Sequence, residues 1–563
     1  MQALLMLFGA VAVLLVAYFT YGAFVEKQYG VDDIEKTPAV VHQETGVDTN
    51  EYCPAASAVL LGHHFSSIAG AGPITGPIGA APFGWVPVYL WCLLGCTFIG
   101  GVHDFGALVA SIKHDGKGVG EIAAKNISPA AGVLFNVFAF LTLILVVAAF
   151  TSICAGTYAW SSETPDALTG ARSGTASFLF LVLAIIFGFV VYRKHAPLAV
   201  SSIVAVLLLV GCVFLGYYFP FLKFSAEVWN ILLCVYILVA SNTPVWILLQ
   251  PRDYLCSYLL YSVILFSVVG IIVGAFSSKT AMDLPAFTTF TTSVGPLFPL
   301  LFVTVACGAC SGFHSLISAG TTSKQLAKAK DARLIGYGAM LLEGVVAVIA
   351  LIAYGIAAKQ GLATGGAAKI FSVGVAKMMN TFGIPEDFGQ VYVTLVYSSF
   401  ALTSLDSATR IGRYITQELF GAIKSDNSVI AFFTQKNKAG KLFGGWCATL
   451  ILVILAYLLL KNGWAKIWPI FGSANQLLAA LALLTTSCWL LKSGKNMLVT
   501  LIPCIFMYCV TMTALVILFI QRVTTSPSVI LAIFAALLFI LAIVLGVVAV
   551  KNIIRIKKEQ KAA

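Results

Sequence analysis

Charged residues are scarce in this sequence. Asp, Glu, Lys and Arg make up 10% of its 563 residues, whereas hydrophobic residues make up 60%. A soluble domain of ordinary composition carries about a quarter charged residues, so this chain lacks the side chains that would cover a water-exposed surface. The scarcity excludes a soluble globular protein and indicates an all-α polytopic protein that crosses a membrane many times.

Motifs that would indicate an enzyme or an ATP-driven pump are lacking as well. The chain has no Walker-type phosphate loop, and its segment GAGPITG, residues 70–76, neither follows a strand nor lies in a βαβ unit. Cys307, Cys310 and His314 share a helical face, but three ligands on one helix rarely complete a tetrahedral zinc site. We therefore expect a protein that is not an enzyme and binds no cofactor and no metal.

Hydrophobic runs of about twenty residues recur along the whole chain and predict about fifteen membrane-spanning helices. The predicted spans are 3–24, 57–80, 84–111, 130–156, 176–192, 197–219, 228–250, 254–277, 296–318, 334–358, 388–404, 443–460, 467–490, 497–519 and 527–550. The expected surroundings are therefore a lipid bilayer.

The net charge of +11 is concentrated in short loops and the C-terminal tail RIKKEQK, and no basic face is separable from the membrane. Nucleic acid is thus not an expected partner. When the spans alternate, the basic loops 193–195, 323–333, 405–442 and 491–496 share one side with the C-terminus. The positive-inside rule assigns this side, and the C-terminus, to the cytoplasm.

Two predicted spans contain helix breakers in corresponding places. Counted from residue 57, the first crossing holds GAGPITGP, and the sixth, 228–250, holds ASNTPVW. Paired interruptions of this kind indicate a transporter built from inverted repeats, here a LeuT-type five-plus-five core with extra N- and C-terminal helices. The predicted divisions are an N-terminal helix and loop (1–56), the first repeat with the sixth core helix (57–250), the rest of the second repeat (251–404), a cytoplasmic loop (405–442) and the C-terminal helices with a basic tail (443–563).

An interrupted helix in lipid leaves backbone groups unpaired, which is tolerable where they line a cavity or are buried in protein. We predict that residues 70–77 and 241–246 are non-helical and adjacent near the bilayer midplane. A substrate carboxylate would meet amides near Gly72–Gly76, because the spans offer no deep Lys or Arg. The alternative for each segment is a simple proline kink. The predicted substrate-binding residues are Gly70, Gly72, Pro73, Thr75, Gly76, Asn242, Thr243 and Trp246.

Ionisable residues inside the predicted spans are few. Asp104 and Glu343 are the carboxylates that lie well away from the span ends. Such residues pair, face water or carry protons, so we predict that they couple transport to protons together with His314 and His64. The alternative is neutral, hydrogen-bonded packing. A second set, placed at the cytoplasmic boundary, is predicted to form a gate of ion pairs or simple interface pairs: Arg252, Asp253, Asp406 and Arg410.

Seven long motifs resemble the carbon starvation protein A (CstA) family. They are LGHHFSSIAGAGPITGPIGAAPFGWVP, GGVHDFGALVASIKHDGKGVGEIA, PVWILLQPRDYL, PLFPLLFVTVACGACSGFHSLISAGTTSKQL, DARLIGYGAMLLEG, FALTSLDSATRIGRY and WPIFGSANQLLAAL, in this order. The resemblance implies a bacterial inner-membrane uptake protein linked to nutrient limitation, with proton-driven pyruvate uptake or peptide uptake. It also implies the amino acid–polyamine–cation superfamily, which agrees with the five-plus-five arrangement.

The expected function is therefore a secondary active transporter that imports a small organic nutrient, pyruvate or a short peptide, with protons. Sodium coupling stays open, because the eighth crossing supplies the hydroxyls of Thr304, Ser311 and Ser315. A channel or a membrane sensor is the alternative from another class. A channel would need a continuous polar path, and a sensor would usually carry a soluble signalling domain.

Overall fold

The computed structural model describes residues 1–47, 51–160, 167–194, 196–277, 280–423, 427–460, 464–525 and 527–562. Most of them form helices, because in lipid a helix pairs its backbone N–H and C=O groups within its own segment. Eleven helices of the described residues are each long and apolar enough to span a bilayer. Each predicted span falls on a helix or on two half-helices, although the helix of span 228–250 ends early, at Asn242.

The first part of the chain forms three N-terminal helices, the helices of the first repeat and two helices outside that repeat. Their bounds are α1 (Gln2–Phe19), α2 (Tyr21–Tyr29), α3 (Pro38–Thr45), α4 (Ser57–Ala69), α5 (Gly72–Ala80), α6 (Trp85–Gly95), α7 (Gly101–Ile112), α8 (Val119–Asn126), α9 (Pro129–Tyr158), α10 (Ala167–Gly188), α11 (Leu198–Tyr218), α12 (Ala226–Asn242) and α13 (Leu249–Ser277). A π-helical turn, Cys96–Gly100, joins α6 and α7 into one rod.

A short antiparallel hairpin precedes the second repeat. The remaining elements are β1 (Thr291–Thr292), β2 (Gly295–Pro296), α14 (Leu297–Thr304), α15 (Gly312–Gly320), α16 (Ala339–Lys359), α17 (Ala367–Asn380), α18 (Glu386–Gly421), α19 (Ser428–Phe433), α20 (Gly445–Leu460), α21 (Trp464–Lys492), α22 (Leu498–Thr524) and α23 (Val529–Ala562). The helices α22 and α23 pack on α21, outside the core.

Two interrupted helices begin equivalent successions of elements. Gly70 and Ala71 separate α4 from α5, and residues 305–311 separate α14 from α15. A long helical rod, a short helix and a second long helix follow each pair: α6–α7, α8 and α9 in the first case, α16, α17 and α18 in the second. An even number of crossings lies between the two pairs, so they traverse the bundle in opposite directions.

The predicted five-plus-five inverted repeat is therefore confirmed, with a different composition. The helix α13 packs on a half-helix of the first interrupted helix, α4, and on the short helix α17 of the second repeat. The helix α21 packs on a half-helix of the second interrupted helix, α15, and on the short helix α8 of the first repeat. The helices α13 and α21 therefore occupy equivalent places. We assign the core to α4/α5, α6–α7, α9, α10 and α13, and to α14/α15, α16, α18, α20 and α21. The helices α11 and α12 are then an insertion. The assignment of 228–250 as the sixth core helix is wrong, since the second interrupted helix is 297–320.

The basic loops meet at one end of the bundle, called the basic end below. There Lys495 lies 3.0 Å from Asp33, Lys324 lies 2.7 Å from Glu51, and Lys492 donates to the carbonyl of Lys125. Burial alone would raise the pKa of Glu51, but the Lys324 ammonium, its hydrogen bond and Tyr414 bring this pKa below its ordinary value. Asp33 and Glu51, in the segment between α2 and α4, thus lie with the basic loops.

Candidate functional site

The first interruption is a sharp backbone turn that α18 supports. Gly70 ends α4 with φ +47° and ψ −155°, a conformation that favours glycine because it has no Cβ. The Ser404 hydroxyl of α18 donates to the carbonyl of Ser67 over 3.0 Å, which pairs one of the acceptors freed at the end of α4. A Cβ on Gly70 would lie 2.6 Å from the same Ser404 oxygen. The hydrogen bond holds the interruption against α18, and the lack of a Cβ on Gly70 allows this close approach.

The second interruption lies directly against α5. A Cβ on Gly72 would lie 2.3 Å from the Cβ and Sγ atoms of Cys307, and a Cβ on Gly76 would lie 2.9 Å from the carbonyl oxygen of Thr304. Glycine at these two positions therefore lets the backbones of the two interrupted helices touch. This pair of segments, Gly70–Gly76 and 304–311, is called the crossing site below.

Two amide side chains of α21 satisfy backbone groups freed by the second interruption. Asn475 Oδ1 accepts a hydrogen bond from the Phe313 amide over 2.8 Å, and its Nδ2 donates to Ser311 Oγ over 2.9 Å. Gln476 Nε2 donates to the Phe302 carbonyl over 2.7 Å. Sequence reasoning gave these residues no role, although an Asn–Gln pair inside an apolar helix is itself a signal of a buried polar partner.

The predicted non-helical range 70–77 is wrong beyond its first two residues. The helix α5 begins at Gly72, and Pro73 occupies its first turn, where the N–H that proline lacks would have no intrahelical partner. The Thr75 amide donates to the Ala71 carbonyl over 2.9 Å. The Thr75 hydroxyl lies 2.8 Å from the hydroxyl of Tyr397 on α18. The crossing site therefore offers a helix N-terminus, with amides that can face an anion.

The helix α12 ends at Asn242, and residues 243–246 are non-helical as predicted, but the prediction that 241–246 face 70–77 is wrong. Asn242 Nδ2 donates to the Leu238 carbonyl and to the Thr449 hydroxyl of α20. The Thr243 hydroxyl donates to the Val239 carbonyl.

Two arginines complete the surroundings of this helix end. Arg410 donates to the carbonyls of Ala240 and Thr243, and the guanidinium of Arg193 lies 4.7 Å from the ring centre of Trp246. The segment misled sequence reasoning because it contains Asn and Pro. The true second interruption, VACGACS at 305–311, contains no proline.

Three of the four predicted proton-coupling residues lie in direct contact. His314 Nδ1 of α15 lies 2.8 Å from Asp104 Oδ2 of α7, and His314 Nε2 lies 3.4 Å from Glu343 Oε2 of α16. His103 Nδ1 lies 2.7 Å from Asp104 Oδ1. All four side chains are fully buried. We call them the carboxylate–histidine chain.

His314 lies between the two carboxylates, and it is hydrogen-bonded to Asp104 but only in contact with Glu343. A histidine between two carboxylates can accept a proton at one ring nitrogen and release one at the other. Among the described residues, neither Glu343 oxygen has a hydrogen-bond donor in place. The fourth predicted residue, His64 of α4, lies near Asp104 and His314, and its Nδ1 is 2.8 Å from the Thr322 hydroxyl.

A second buried cluster contains three of the four predicted gate residues. Arg252 Nη2 lies 2.8 Å from Asp253 Oδ1, and Arg252 Nη1 pairs with Asp406. His63 Nδ1 lies 3.0 Å from Asp253 Oδ2, and the Tyr236 hydroxyl donates to Asp406 over 2.6 Å. We call these five residues the arginine cluster. It joins α4, α12, α13 and α18.

The burial of this cluster brings in charged groups that the sequence did not indicate as buried. Arg252 is 1% exposed and Arg410 is 4% exposed, so both arginines lie in the protein interior. Asp253 and Asp406 are buried as well. Sequence reasoning placed these residues at the membrane boundary because the neighbouring helices that cover them cannot be seen from one segment. Asp406 pairs with Arg252, and Arg410 donates to backbone carbonyls at the end of α12, so these two residues do not use each other as partners.

Removing one charge from this cluster is expected to destabilise the fold. Asp406→Asn leaves the buried Arg252 with Asp253 alone, and breaking a buried pair costs about 3–5 kcal/mol. We expect a lower melting temperature in detergent than for the wild-type chain. Asp406→Glu keeps a carboxylate beside Arg252 and is the matched control, because it should retain most of the stability. Equal melting temperatures for Asp406→Asn and the wild-type chain would contradict this reading.

Two cavities lie at opposite ends of the paired helices α9 and α18. The basic-end cavity, about 320 Å³, is lined by Gly120, Asn136, Lys324, Tyr414 and Glu418 among others. The far-end cavity, about 340 Å³, is lined by Thr157, Thr169, Lys369, Gln390, Thr394 and Tyr397 among others. Along α18, Ser404 and Asp406 lie between the two sets of lining residues. The helices thus separate two cavities by a packed centre that holds the crossing site.

Comparison with known proteins gives a consistent set of similarities. A family model described as "Carbon starvation protein CstA" matches residues 2–362 and 355–514. The chain is 31% identical to the pyruvate/proton symporter BtsT of Escherichia coli K12, over 91% of this chain and 81% of that protein. It is 30% identical to the peptide transporter CstA of the same strain, with 91% and 80% covered. The peptide transporter CstA of Bacillus subtilis 168 is 29% identical, with 98% and 97% covered.

Solved structures give weaker similarities. The structure of MhsT in complex with L-phenylalanine aligns with a TM-score of 0.47 and 13% identity, over 89% of this chain and 99% of that chain. A manganese transporter of Eremococcus coleocola aligns with a TM-score of 0.46 and 12% identity, over 91% and 99%.

Proposed function

The chain belongs to the carbon starvation protein CstA family, and from that premise we propose that it is a proton-coupled importer of a small organic nutrient. Its substrate would be a carboxylate such as pyruvate or a short peptide, the two classes named for its relatives. It would act as a transporter and not as an enzyme. We place it in the bacterial inner membrane, with the basic end and the C-terminus in the cytoplasm.

The observation that carries the proposal is the position of His314. This residue lies on α15, the half-helix that follows the second interruption, and it contacts Asp104 and Glu343 on neighbouring helices. A proton gained or lost by the carboxylate–histidine chain changes the electrostatic interactions between α15 and the neighbouring helices α7 and α16. Because α15 directly follows the segment 304–311 that contacts α5, a shift of α15 would alter the geometry of the crossing site. Proton binding and substrate binding would thus be linked through one short helix.

The substrate carboxylate is proposed to bind at the crossing site. The amides at the start of α5 carry the partial positive charge of a helix N-terminus, and Gly72 and Gly76 allow close approach. The site residues on this side remain Gly70, Gly72, Pro73, Thr75 and Gly76. Segment 304–311 replaces Asn242, Thr243 and Trp246 as the opposite wall.

The arginine cluster is proposed to close the path toward the basic end. It ties the first half-helix, α4, to α13 and α18 through His63, Arg252 and Asp406. Opening toward the cytoplasm would require α4 to part from these helices, which breaks buried ion pairs. The Tyr397–Thr75 hydrogen bond is the corresponding tie on the far side. In a transporter the arginine cluster and the Tyr397–Thr75 hydrogen bond would open alternately. In a channel both would be open at the same time.

Sodium coupling is the second candidate, and one contact favours it. Sodium symporters with a five-plus-five core commonly hold the ion between carbonyls of the first interrupted helix and hydroxyls of the eighth core helix. In the corrected core that eighth helix is α18, whose Ser404 hydroxyl contacts the Ser67 carbonyl. The hydroxyls of Thr304, Ser311 and Ser315 belong to the second interrupted helix instead.

Uptake into proteoliposomes under separate ion gradients tests the choice. With pyruvate or dialanine outside, we expect a proton gradient to drive accumulation and a sodium gradient at equal pH on both sides to have no effect. Counterflow of labelled substrate should saturate, as expected for a carrier. If accumulation requires sodium, the coupling ion is sodium and Ser67 and Ser404 become its proposed ligands. Flux that does not saturate with substrate concentration would indicate a channel.

A further inference from the structure

Three elements that are distant in the sequence meet at the basic end around a third cavity, of about 400 Å³. The end of α8 supplies Lys125, the end of α21 supplies Lys492, and α23 supplies Arg555 and Glu559. Three of these four charged side chains are basic, so the cavity carries a net positive charge. It is called the α23 cavity below.

Side-chain hydrogen bonds fix the walls of the α23 cavity. Asn552 Nδ2 of α23 donates to the Asn126 carbonyl at the end of α8 over 2.9 Å. Gln560 Nε2, one helical segment further along α23, donates to the Leu491 carbonyl of α21 over 2.9 Å. The helix α23 is therefore fastened to both neighbours, and the cavity is a formed concave site and not a group of independent surface charges.

The basic side chains of this cavity keep their charge available for an anion. Lys492 Nζ donates to the Lys125 carbonyl over 3.1 Å, and a neutral carbonyl leaves the ammonium charge in place. Arg555 Nη2 donates to Asn552 Oδ1, which is neutral as well, over 2.8 Å. Glu559 Oε1 lies 3.7 Å from Arg555 Nε, but both side chains are largely exposed, and exposed pairs contribute little. Glu559 therefore offsets no more than one of the three positive charges.

The α23 cavity lies where the apolar outer face of α23 ends. Val547, Val550 and Ile554 are exposed and share one face of this helix, as expected of side chains that contact acyl chains. Arg555 follows directly, and α21 ends at Lys492. The basic side chains are therefore at the depth of lipid headgroups, next to a surface that acyl chains cover.

We propose that the α23 cavity binds the phosphate group of an anionic phospholipid through the Lys492 ammonium and the Arg555 guanidinium. Basic pockets between membrane helices bind such headgroups, and the planar fork of an arginine can meet two phosphate oxygens. A free phosphate presents similar oxygens, but the adjoining apolar face of α23 favours a lipid, whose acyl chains would cover that face. The inference goes beyond the proposed transport function and does not depend on the solute or the coupling ion.

The first test counts lipids bound to the purified chain by native mass spectrometry in a neutral detergent. Phosphatidylglycerol should bind, and phosphatidylcholine with the same acyl chains should not, because its headgroup has no net charge. Lys492→Gln, Arg555→Gln should weaken phosphatidylglycerol binding about 30-fold, since each basic residue near the membrane surface contributes about fivefold. The matched control Lys551→Gln, Lys558→Gln removes two exposed charges of α23 that do not line the cavity, and it should bind as the wild-type chain does.

A charge-retaining variant separates binding from a structural effect. Lys492→Arg, Arg555→Lys keeps both positive charges and should still bind phosphatidylglycerol. Added phosphatidylglycerol should raise the melting temperature of this variant and of the wild-type chain, because a ligand that binds the folded state stabilises it. It should not raise the melting temperature of Lys492→Gln, Arg555→Gln.

Several results would overturn the inference. Wild-type affinity in Lys492→Gln, Arg555→Gln would remove these two residues from the site. Equal weakening in that variant and in Lys551→Gln, Lys558→Gln would show attraction to the overall charge of α23 and not to a cavity. Displacement of phosphatidylglycerol by inorganic phosphate at the same concentration would show that the cavity holds a free anion. If Lys492→Gln, Arg555→Gln does not fold, equal binding of phosphatidylglycerol and phosphatidylcholine by the wild-type chain would still refute the site.

Discussion

Replacing Asp104 with asparagine is expected to reduce proton-driven uptake about 100-fold or more, the scale at which a positioned proton-transfer group acts. Asp104 contacts both His103 and His314, and asparagine preserves its shape but cannot carry a proton. Exchange of labelled for unlabelled substrate across the membrane should persist, because exchange requires no net proton movement. The measurement is uptake and exchange in the same proteoliposomes.

A matched acidic residue controls for the loss of charge. Asp283→Asn alters an exposed carboxylate in the loop before β1 and should leave both activities unchanged. Glu343→Gln should resemble Asp104→Asn, since Glu343 is at the other end of the contacts of His314. Wild-type uptake by Asp104→Asn under a proton gradient would remove the carboxylate–histidine chain from the coupling mechanism.

Replacing Gly72 with alanine is expected to weaken substrate binding about 10- to 100-fold, which corresponds to the roughly 1–3 kcal/mol cost of overpacking. The added Cβ would lie 2.3 Å from both Cβ and Sγ of Cys307, so the two interrupted helices must move apart. The separation would displace the amides at the start of α5. Binding can be measured calorimetrically with purified protein, which separates affinity from transport rate.

Two variants sharpen this test. Gly211→Ala places the same methyl group on α11, where nothing lies within 4 Å, and should leave binding unchanged. The reciprocal variant Gly72→Ala, Cys307→Gly removes the clashing atoms and should restore much of the affinity. Unchanged binding in Gly72→Ala alone would show that the crossing site is not where substrate binds.

The helices were predictable from the sequence because hydropathy is a local property. A run of apolar residues long enough to cross the bilayer must be helical there, and the predicted spans coincide with helices. The first interruption was predictable from Gly70 and the prolines that follow it. The second was not, because 305–311 has no proline and its irregular backbone is supported by Asn475 and Gln476, far away in the sequence.

For the buried ionisable groups, too, the residues could be predicted from the sequence but their contacts could not. Asp104, His314 and Glu343 could be singled out one by one, because a polar residue within an apolar span is expensive. Their contacts depend on three helices that meet only in the folded chain. Arg252 was assigned to a boundary, since its burial is due to α4, α12 and α18, which no local pattern reveals. Tertiary contacts were therefore the part that sequence reasoning could not supply.

The most direct test of proton-coupled transport is the pH inside proteoliposomes when substrate is added outside in sodium-free buffer. With a pH-sensitive dye enclosed, the account predicts acidification that begins with substrate addition, saturates with substrate concentration and is absent in Asp104→Asn. Substrate entry through the wild-type chain without any acidification, or entry only when sodium is supplied, would contradict it.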